Sequence, residues 1–395
     1  MADDVSPALI DQIIDGMSVD FPAHQPGTRP IHTKGIAVAG QFRATRDAKE
    51  YCVAPQFDGS WTPAVVRFSN GNGQPDPDGR LQPRGMAVKL YPGGTREPDP
   101  GSEHQDQATV AGARVEEQPI VPATPGGRVE ETDLICMSVP MFMAQSAEGV
   151  LEFEKAYVPR KVRYPSLLKR LSALARMCPL PPQEAGVTMS GNDGFLEWAR
   201  GFEPAQGFLL ELSLQGLPAS YARTVYHAVH AFEVEGVDGT RRMVRFSFEP
   251  SDGVRNEGPP EPAQSPIATF LKPHPINEYG QTLDANYLQK ELRERIAYAP
   301  SRFNLRMQVA DPFDDTADPT KTWPTTRRRV LMGTLFLSHV LTDQIAGGEE
   351  LSFNPGRLLP GMGPSDDPVL RQRVAVYEES YRRRMDARRQ GCPVS

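Results

Sequence analysis

Several common features are scarce in this chain. It has four cysteines in 395 residues, Cys52, Cys136, Cys178 and Cys392, with no paired spacing and no C-x-x-C. That excludes a disulfide framework as the organising device and fits free thiols in a reducing compartment. No apolar run approaches the ~18 residues of a membrane span. The segment MADDVSPALIDQIIDGM is acidic and amphipathic. No export-signal pattern is read there, and a cytoplasmic location is expected. An excess of basic residues is missing too: 43 Lys and Arg face 50 Asp and Glu, a net charge of −7. This argues against nucleic acid or an anionic membrane as partner. The basic clusters Arg327–Arg329 and Arg382–Arg384 are short and read as solvated faces. Proline (39) and glycine (34) are plentiful, which predicts long loops and few uninterrupted helices.

The length allows one large core. Residues 4–17 read as a helix carrying Ile10, Ile13, Ile14 and Met17 on one side. A proline-marked arm, FPAHQPGTRPIHTKG, follows with His24, Arg29 and His32. Strand patterns then appear in IAVAGQFRAT, at 64–69 and at 84–91, around a turn-rich loop, NGNGQPDPDGRLQP. That loop lacks the G-K-S/T of a phosphate-binding loop. Residues 92–131 are a polar excursion rich in Pro and Gly. The core returns at 133–143 with DLICMSVPMFM, and a helix begins in SAEGVLEFEKAY. A basic helical patch is expected at 160–177 and a short helix near 194–202. Segments 208–214, 224–234 and 241–250 read as strands, the last two as a hairpin around EGVDGT. A charged amphipathic helix at 286–300 precedes strands at 303–311 and 329–341. FNPGRLLPGMGP is a loop leading into the last helix. The sum is an α+β chain of eight or nine mostly antiparallel strands.

The last helix starts at SDDP, where Ser365, Asp366 and Asp367 offer capping oxygens and Pro368 suits the first turn. Arg373 and Tyr377 lie four residues apart and therefore stack on one face. A guanidinium beside a phenol oxygen stabilises its anionic form, a hard ligand suited to ferric iron. Leu370, Val374, Tyr377 and Tyr381 also fit an ordinary core stripe.

Four separated segments resemble the haem catalases, and especially the shorter catalase-related peroxidases. They are RPIHTKG, PAVVRFSNGNGQPDPDGRLQPRGMAVKLY, YHAVHAFEVEGVDGTRRMVRFSFEP and FNPGRLLPGMGPSDDPVLRQRVAVYEESY. The resemblance implies a catalase-like eight-stranded antiparallel β-barrel with added helices, and a buried haem b (iron protoporphyrin IX). It implies residues 1–34 as N-terminal helix and arm, and 35–395 as the haem barrel without a C-terminal flavodoxin-like domain. By residue, His32 matches the distal histidine, with Ser69 near it. Arg29 and Arg67 match arginines that pair with haem propionates. Phe142 matches an aromatic near the haem face, Tyr377 the tyrosinate iron ligand, and Arg373 its arginine partner. Peroxide cleavage needs a base that takes one proton and returns it, which suits imidazole.

One segment departs from the family. Catalases are expected to carry a distal asparagine in DLVGNNTPVFF, where this chain has DLICMSVPMFM. Met137 takes the asparagine position, or Ser138 if the alignment slips by one. A hydrogen-bond donor would thus be replaced by a thioether, which predicts weakened catalase activity. The resemblance therefore implies a peroxidase that reduces hydrogen peroxide or organic hydroperoxides through a ferryl intermediate, with an electron donor that stays unnamed. The alternatives are rearrangement of fatty-acid hydroperoxides in the manner of allene oxide synthases, haem chemistry in secondary metabolism, and a non-catalytic haem-binding or sensing protein. A homodimer or homotetramer is implied as well.

Overall fold

The computed structural model describes residues 6–19, 27–71, 77–79, 82–92, 130–157, 161–163, 183–184, 187–188, 203–258, 283–341 and 351–390. Eight segments, most of them buried along nearly their whole length, form the strands β1 (Gly35–Ala44), β2 (Trp61–Asn70), β3 (Arg84–Leu90), β4 (Thr132–Met137), β5 (Tyr226–Glu235), β6 (Arg241–Pro250), β7 (Ser301–Val309) and β8 (Arg329–Val340). Each pairs antiparallel with the next, and β8 returns to β1. The result is a closed eight-stranded barrel, in which each of the eight strands is paired on both sides. A short ninth strand, β9 (Met362–Pro364), lies against β5.

Large side chains fill the barrel. Phe68 stacks on Tyr221 at 5.6 Å and leans on Tyr226 and Phe303 at 5.7 and 6.0 Å. Phe57 stacks on Phe246 at 6.4 Å. Fully burying each such ring contributes on the order of 2 kcal/mol. Phe68, Met86, Leu134 and Cys136 belong to this interior. Period-2 alternation therefore places Arg67, Ser69, Gly85, Ala87 and Ile135 on the opposite face of β2–β4.

Among the described residues five helices are longer than one turn: α1 (Pro7–Val19), α2 (Ala147–Tyr157), α3 (Glu203–Gln215), α4 (Tyr287–Tyr298) and α5 (Pro368–Arg389). α5 starts as its composition predicts, with Asp367 Oδ1 accepting from the N–H groups of Val369 (2.8 Å) and Leu370 (3.3 Å). A second apolar cluster joins Ile13, Ile14 and Met17 of α1 to Met137, Phe142, Phe208, Val369 and Val376. Arg383 of α5 adds ion pairs to Asp11 and, at 2.7 Å, to Asp15. The N-terminal helix is thereby tied to the body of the fold. Among the described residues no helix is long and apolar enough to cross a membrane.

Three expectations change. Residues 208–214 are helical, not a strand: Phe208 and Leu212 are buried while Leu210 and Leu214 are exposed. The run FLLELSL satisfies both periods, and a short apolar run cannot separate them. Lys161–Arg163, at the start of the expected helical patch, is a short strand. Met362–Pro364 forms a strand in a segment read as loop. The excursion at 93–129, the periodic run at 164–177 and the short helix at 194–202 lie outside the described residues. Cys52 and Cys136 are buried free thiols.

Candidate functional site

The outer face of β2–β4 and one face of α5 enclose a cavity with about 760 Å³ of empty space, including its open mouth. Arg67, Ser69, Gly85, Ala87 and Ile135 line it from the strands, Arg29 and His32 from the arm, and Tyr377, Tyr381 and Arg384 from the helix. The strand registers explain the strand row: Ser69 stands opposite Gly85, which stands opposite Met137, and Arg67 opposite Ala87, which stands opposite Ile135. A Cβ at Gly85 would come within 2.7 Å of Ser69 Oγ and 3.0 Å of the His32 ring. Glycine at 85 is thus what lets the imidazole lie close to the sheet.

His32 has a left-handed backbone, φ 56°, the only positive φ among the described non-glycine residues. Such a conformation persists only when its surroundings over-determine it. Arg67 supplies the constraint, donating to the His32 and Thr33 carbonyls at 2.9 and 3.1 Å. Gly35 makes room, since a Cβ there would meet the Arg67 guanidinium at 2.5 Å. The ring's Nδ1 lies 2.9 Å from the Asn70 carbonyl and 3.0 Å from Ser69 Oγ. A carbonyl only accepts, so Nδ1 carries the hydrogen and Nε2 keeps its lone pair. Burial, then the positive charge of Arg67, pushes the His32 pKa down to about 4. The imidazole is neutral at physiological pH.

Tyr377 lines the same cavity from the third turn of α5. Arg373 Nη2 donates to its phenol oxygen at 3.0 Å. Arg373 Nη1 lies 2.7 Å from His230 Nε2, and His230 Nδ1 lies 2.6 Å from Asp367 Oδ2. A guanidinium has only donors, so Nε2 accepts and Nδ1–H donates to the carboxylate. Burial lowers the His230 pKa, in keeping with a neutral ring. The order Asp367, His230, Arg373, Tyr377 is a continuous chain of charge-assisted hydrogen bonds aimed at one phenol oxygen. Asp367 thus serves twice, as the helix cap and as the end of this chain.

The expected residues divide into two groups. His32, Ser69, Arg29, Arg67 and Tyr377 all line the cavity. Arg373 stands one layer behind Tyr377. Met137 falls in the right row, beside Gly85, but its side chain packs in the second apolar cluster and is not part of the cavity wall. Ser138 turns away: its Oγ accepts from the Arg84 N–H at 3.0 Å and its N–H donates to the Arg84 carbonyl. Phe142 also lies off the wall, with its ring 5.3 Å from the Arg373 guanidinium and 5.8 Å from His230. His230 and Asp367 were not expected as site residues. Arg384 corrects the reading of Arg382–Arg384 as solvated: it is 7% exposed and lines the cavity, seven residues after Tyr377 on the same face. That spacing was visible in the sequence.

The haem implied by the resemblance fits these residues. Broad apolar surface comes from Ile31, Met86, Ala87, Ile135, Phe353 and Val376, which suits a flat macrocycle. Arg29, Arg67 and Arg384 offer guanidinium groups suited to its carboxylates. The donor set pairs one phenol oxygen with one neutral imidazole.

Comparison with known proteins agrees. The family model described as catalase matches residues 7–95 and 197–395. A catalase-related peroxidase of Mycolicibacterium paratuberculosis is 30% identical over 97% of this chain and 98% of its own length. One from Synechococcus elongatus is 26% identical over 95% of this chain and 88% of its own. A solved fungal catalase superposes with a TM-score of 0.64 at 21% identity, covering 94% of this chain. The present chain spans 62% of that catalase's length. Fold, site and relatives converge: the chain belongs to the catalase family, in its catalase-related peroxidase group.

Proposed function

We propose that this protein is a haem b peroxidase that reduces hydrogen peroxide or organic hydroperoxides, and that it dismutates hydrogen peroxide poorly. The observation that carries this reading is a neutral His32, with Nε2 unprotonated, sharing one cavity with Tyr377 at the end of the Asp367–His230–Arg373 chain. When bound, haem supplies the electron-transfer chemistry at iron that no side chain here offers. Tyr377 would hold the iron through its phenol oxygen, and Arg29, Arg67 and Arg384 would hold the propionates.

His32 Nε2 takes the proton from one peroxide oxygen and returns it to the oxygen that leaves as water or an alcohol. The Asn70 carbonyl and Ser69 keep the ring oriented through both transfers. Ile31, Ile135 and Phe353 give the cavity apolar walls suited to an alkyl group. No amide side chain is among the described residues lining the cavity, which supports the weak-dismutation part of this reading. A homo-oligomer is part of the same reading, on the family relation.

The test loads the protein stoichiometrically with haem b and adds a one-electron phenolic donor. Donor oxidation with hydrogen peroxide and with cumene hydroperoxide is expected, with slow oxygen release from hydrogen peroxide. Absence of donor oxidation with both peroxides would overturn the peroxidase reading. Fast oxygen release would overturn the poor dismutation. Consumption of a fatty-acid hydroperoxide without donor oxidation would favour a rearrangement enzyme.

A further inference from the structure

Behind His32 lies a buried polar group of residues that takes no direct part in peroxide chemistry. Its centre is Asn70, the last residue of β2, which has no exposed surface. Each of its hydrogen-bonding groups is engaged. The N–H donates to the Lys34 carbonyl at 2.9 Å, and the carbonyl accepts from His32 Nδ1 at 2.9 Å. Nδ2 donates to Asp78 Oδ1 at 2.9 Å, while Oδ1 accepts from Arg84 Nη1 at 3.1 Å and from the Tyr221 hydroxyl at 2.8 Å. Asp78, equally buried, also receives Lys34 Nζ at 2.6 Å and the Leu288 N–H of α4 at 2.9 Å. Lys34 is two residues from His32, so the arm beyond the imidazole is anchored to the same carboxylate as Asn70.

The consequence concerns which nitrogen of His32 is basic. A neutral imidazole has one N–H, and the group facing it decides where that hydrogen sits. Ser69 Oγ can donate or accept, so serine alone would tolerate either tautomer. The Asn70 carbonyl can only accept. Its direction depends on the peptide plane at the end of a strand, and the side chain of the same residue is held from three sides.

We propose that Asn70, locked by Asp78, Arg84 and Tyr221, is the positioning residue that keeps His32 in its Nδ1–H form and reserves Nε2 for proton transfer. The functional part of this inference rests on the role of His32 given above; the tautomer part does not. Loss of the clamp lets the peptide plane turn, and both tautomers become populated. Only one of them presents a base to the peroxide.

The experiment compares wild type with Asn70→Ala and Tyr221→Phe. The protein is labelled with ¹⁵N-histidine and loaded with zinc protoporphyrin IX, which keeps the site diamagnetic. His32→Gln identifies the His32 signals among the seven histidines. Wild type is expected to show protonated Nδ1 and bare Nε2 at neutral pH. Asn70→Ala is expected to show shifts averaged between the tautomers. In the haem b form its kcat should fall on the order of tenfold with KM unchanged, as for other outer supports of a site. Tyr221→Phe should move both quantities the same way but less, and it decides the matter if Asn70→Ala does not fold. Unchanged His32 shifts in a folded variant, or an Nε2–H tautomer in wild type, would overturn the proposal. Averaged shifts in a protein whose wild type ignores both peroxides would sink the peroxidase reading instead and leave the clamp standing.

Discussion

The two reactive sides of the cavity are built in opposite ways. His32 lies outside any helix or strand and is held by backbone groups: Arg67 grips two carbonyls, and Nδ1 is tied to a third. Tyr377 lies on a 22-residue helix, and among the described residues it is reached through side chains, Arg373 of the same helix and, behind it, His230 of β5. A helix delivers its i, i+4 and i+7 residues to one face without further help, so the relay adds electrostatics to a geometry already present. A strained loop residue has no such support and needs constraint from several directions. Damage to the arm should therefore harm proton transfer while sparing cofactor retention. Damage to the relay should do the reverse.

The largest separation is expected from His32→Gln against Tyr377→Phe. Removing a general base costs ~10²–10⁴ in rate. His32→Gln should lose at least about 100-fold in peroxide turnover and retain haem, as judged by the haem-to-protein absorbance ratio. Tyr377→Phe should lose haem on desalting, because the phenol oxygen proposed to hold the iron is gone. If His32→Gln were the variant that lost haem, the division of labour would be wrong. Next comes Arg373→Ala, which removes the donor to the phenol and strands His230 and Asp367. Outer partners of a metal ligand are worth 10–100-fold in affinity, and that range is expected in competitive haem transfer to apomyoglobin. Gly85→Ala probes the arm more gently. The added methyl meets Ser69 Oγ and the imidazole and displaces the base. Displacement of a reacting group by about 1 Å costs up to ~100-fold. Turnover should drop about tenfold with haem content unchanged; a loss of haem instead would place Gly85 among the cofactor supports.

The same contrast governs what could be read from the chain. The Arg373–Tyr377 pair and the Asp367 cap follow from helical spacing and composition, and both stand in the structure. Arg384 obeys the same rule but was hidden by its neighbours: Arg382 is largely exposed, so the three arginines looked alike. His230 could not be found this way, because 137 residues separate it from Asp367 and 143 from Arg373. On the arm and on β2, His32, Arg29, Arg67 and Ser69 were legible only through family resemblance. Nothing local in RPIHTKG marks a left-handed histidine, and the Asn70 clamp depends on Asp78, Arg84 and Tyr221 meeting through tertiary structure. The barrel strands were legible, most clearly where polar and apolar residues alternate, as in MVRFSFE, and also in the largely apolar RVLMGTLFLSHVL. FLLELSL, which fits both periods, was read as a strand and is a helix.

The smallest effect expected is on stability against pH, and it also distinguishes the two sides. Burial, followed by Arg67, holds His32 at about 4 instead of 6.5, and burial, followed by Arg329, does the same for His227; His230 is lowered too. Between pH 6.5 and 4 the unfolded chain binds protons that the folded chain refuses, so stability from these groups is lost as pH falls through that window. Asp133 acts the other way. Burial raises it from 3.8 to about 6 against the pull of Lys89, so the folded chain binds the extra proton there and gains stability as pH falls. Three imidazoles outweigh one carboxyl, and the melting temperature of the haem-loaded protein should decline from pH 6.5 to 4.5. His32→Gln removes one of the refused protons and should flatten this decline, whereas Arg357→Ala, next to Asp133, should leave its His32 part in place. Equal slopes for wild type and His32→Gln would mean that His32 is not held neutral in the folded protein. The assignment of Nε2 as a ready base would then fail at its first step.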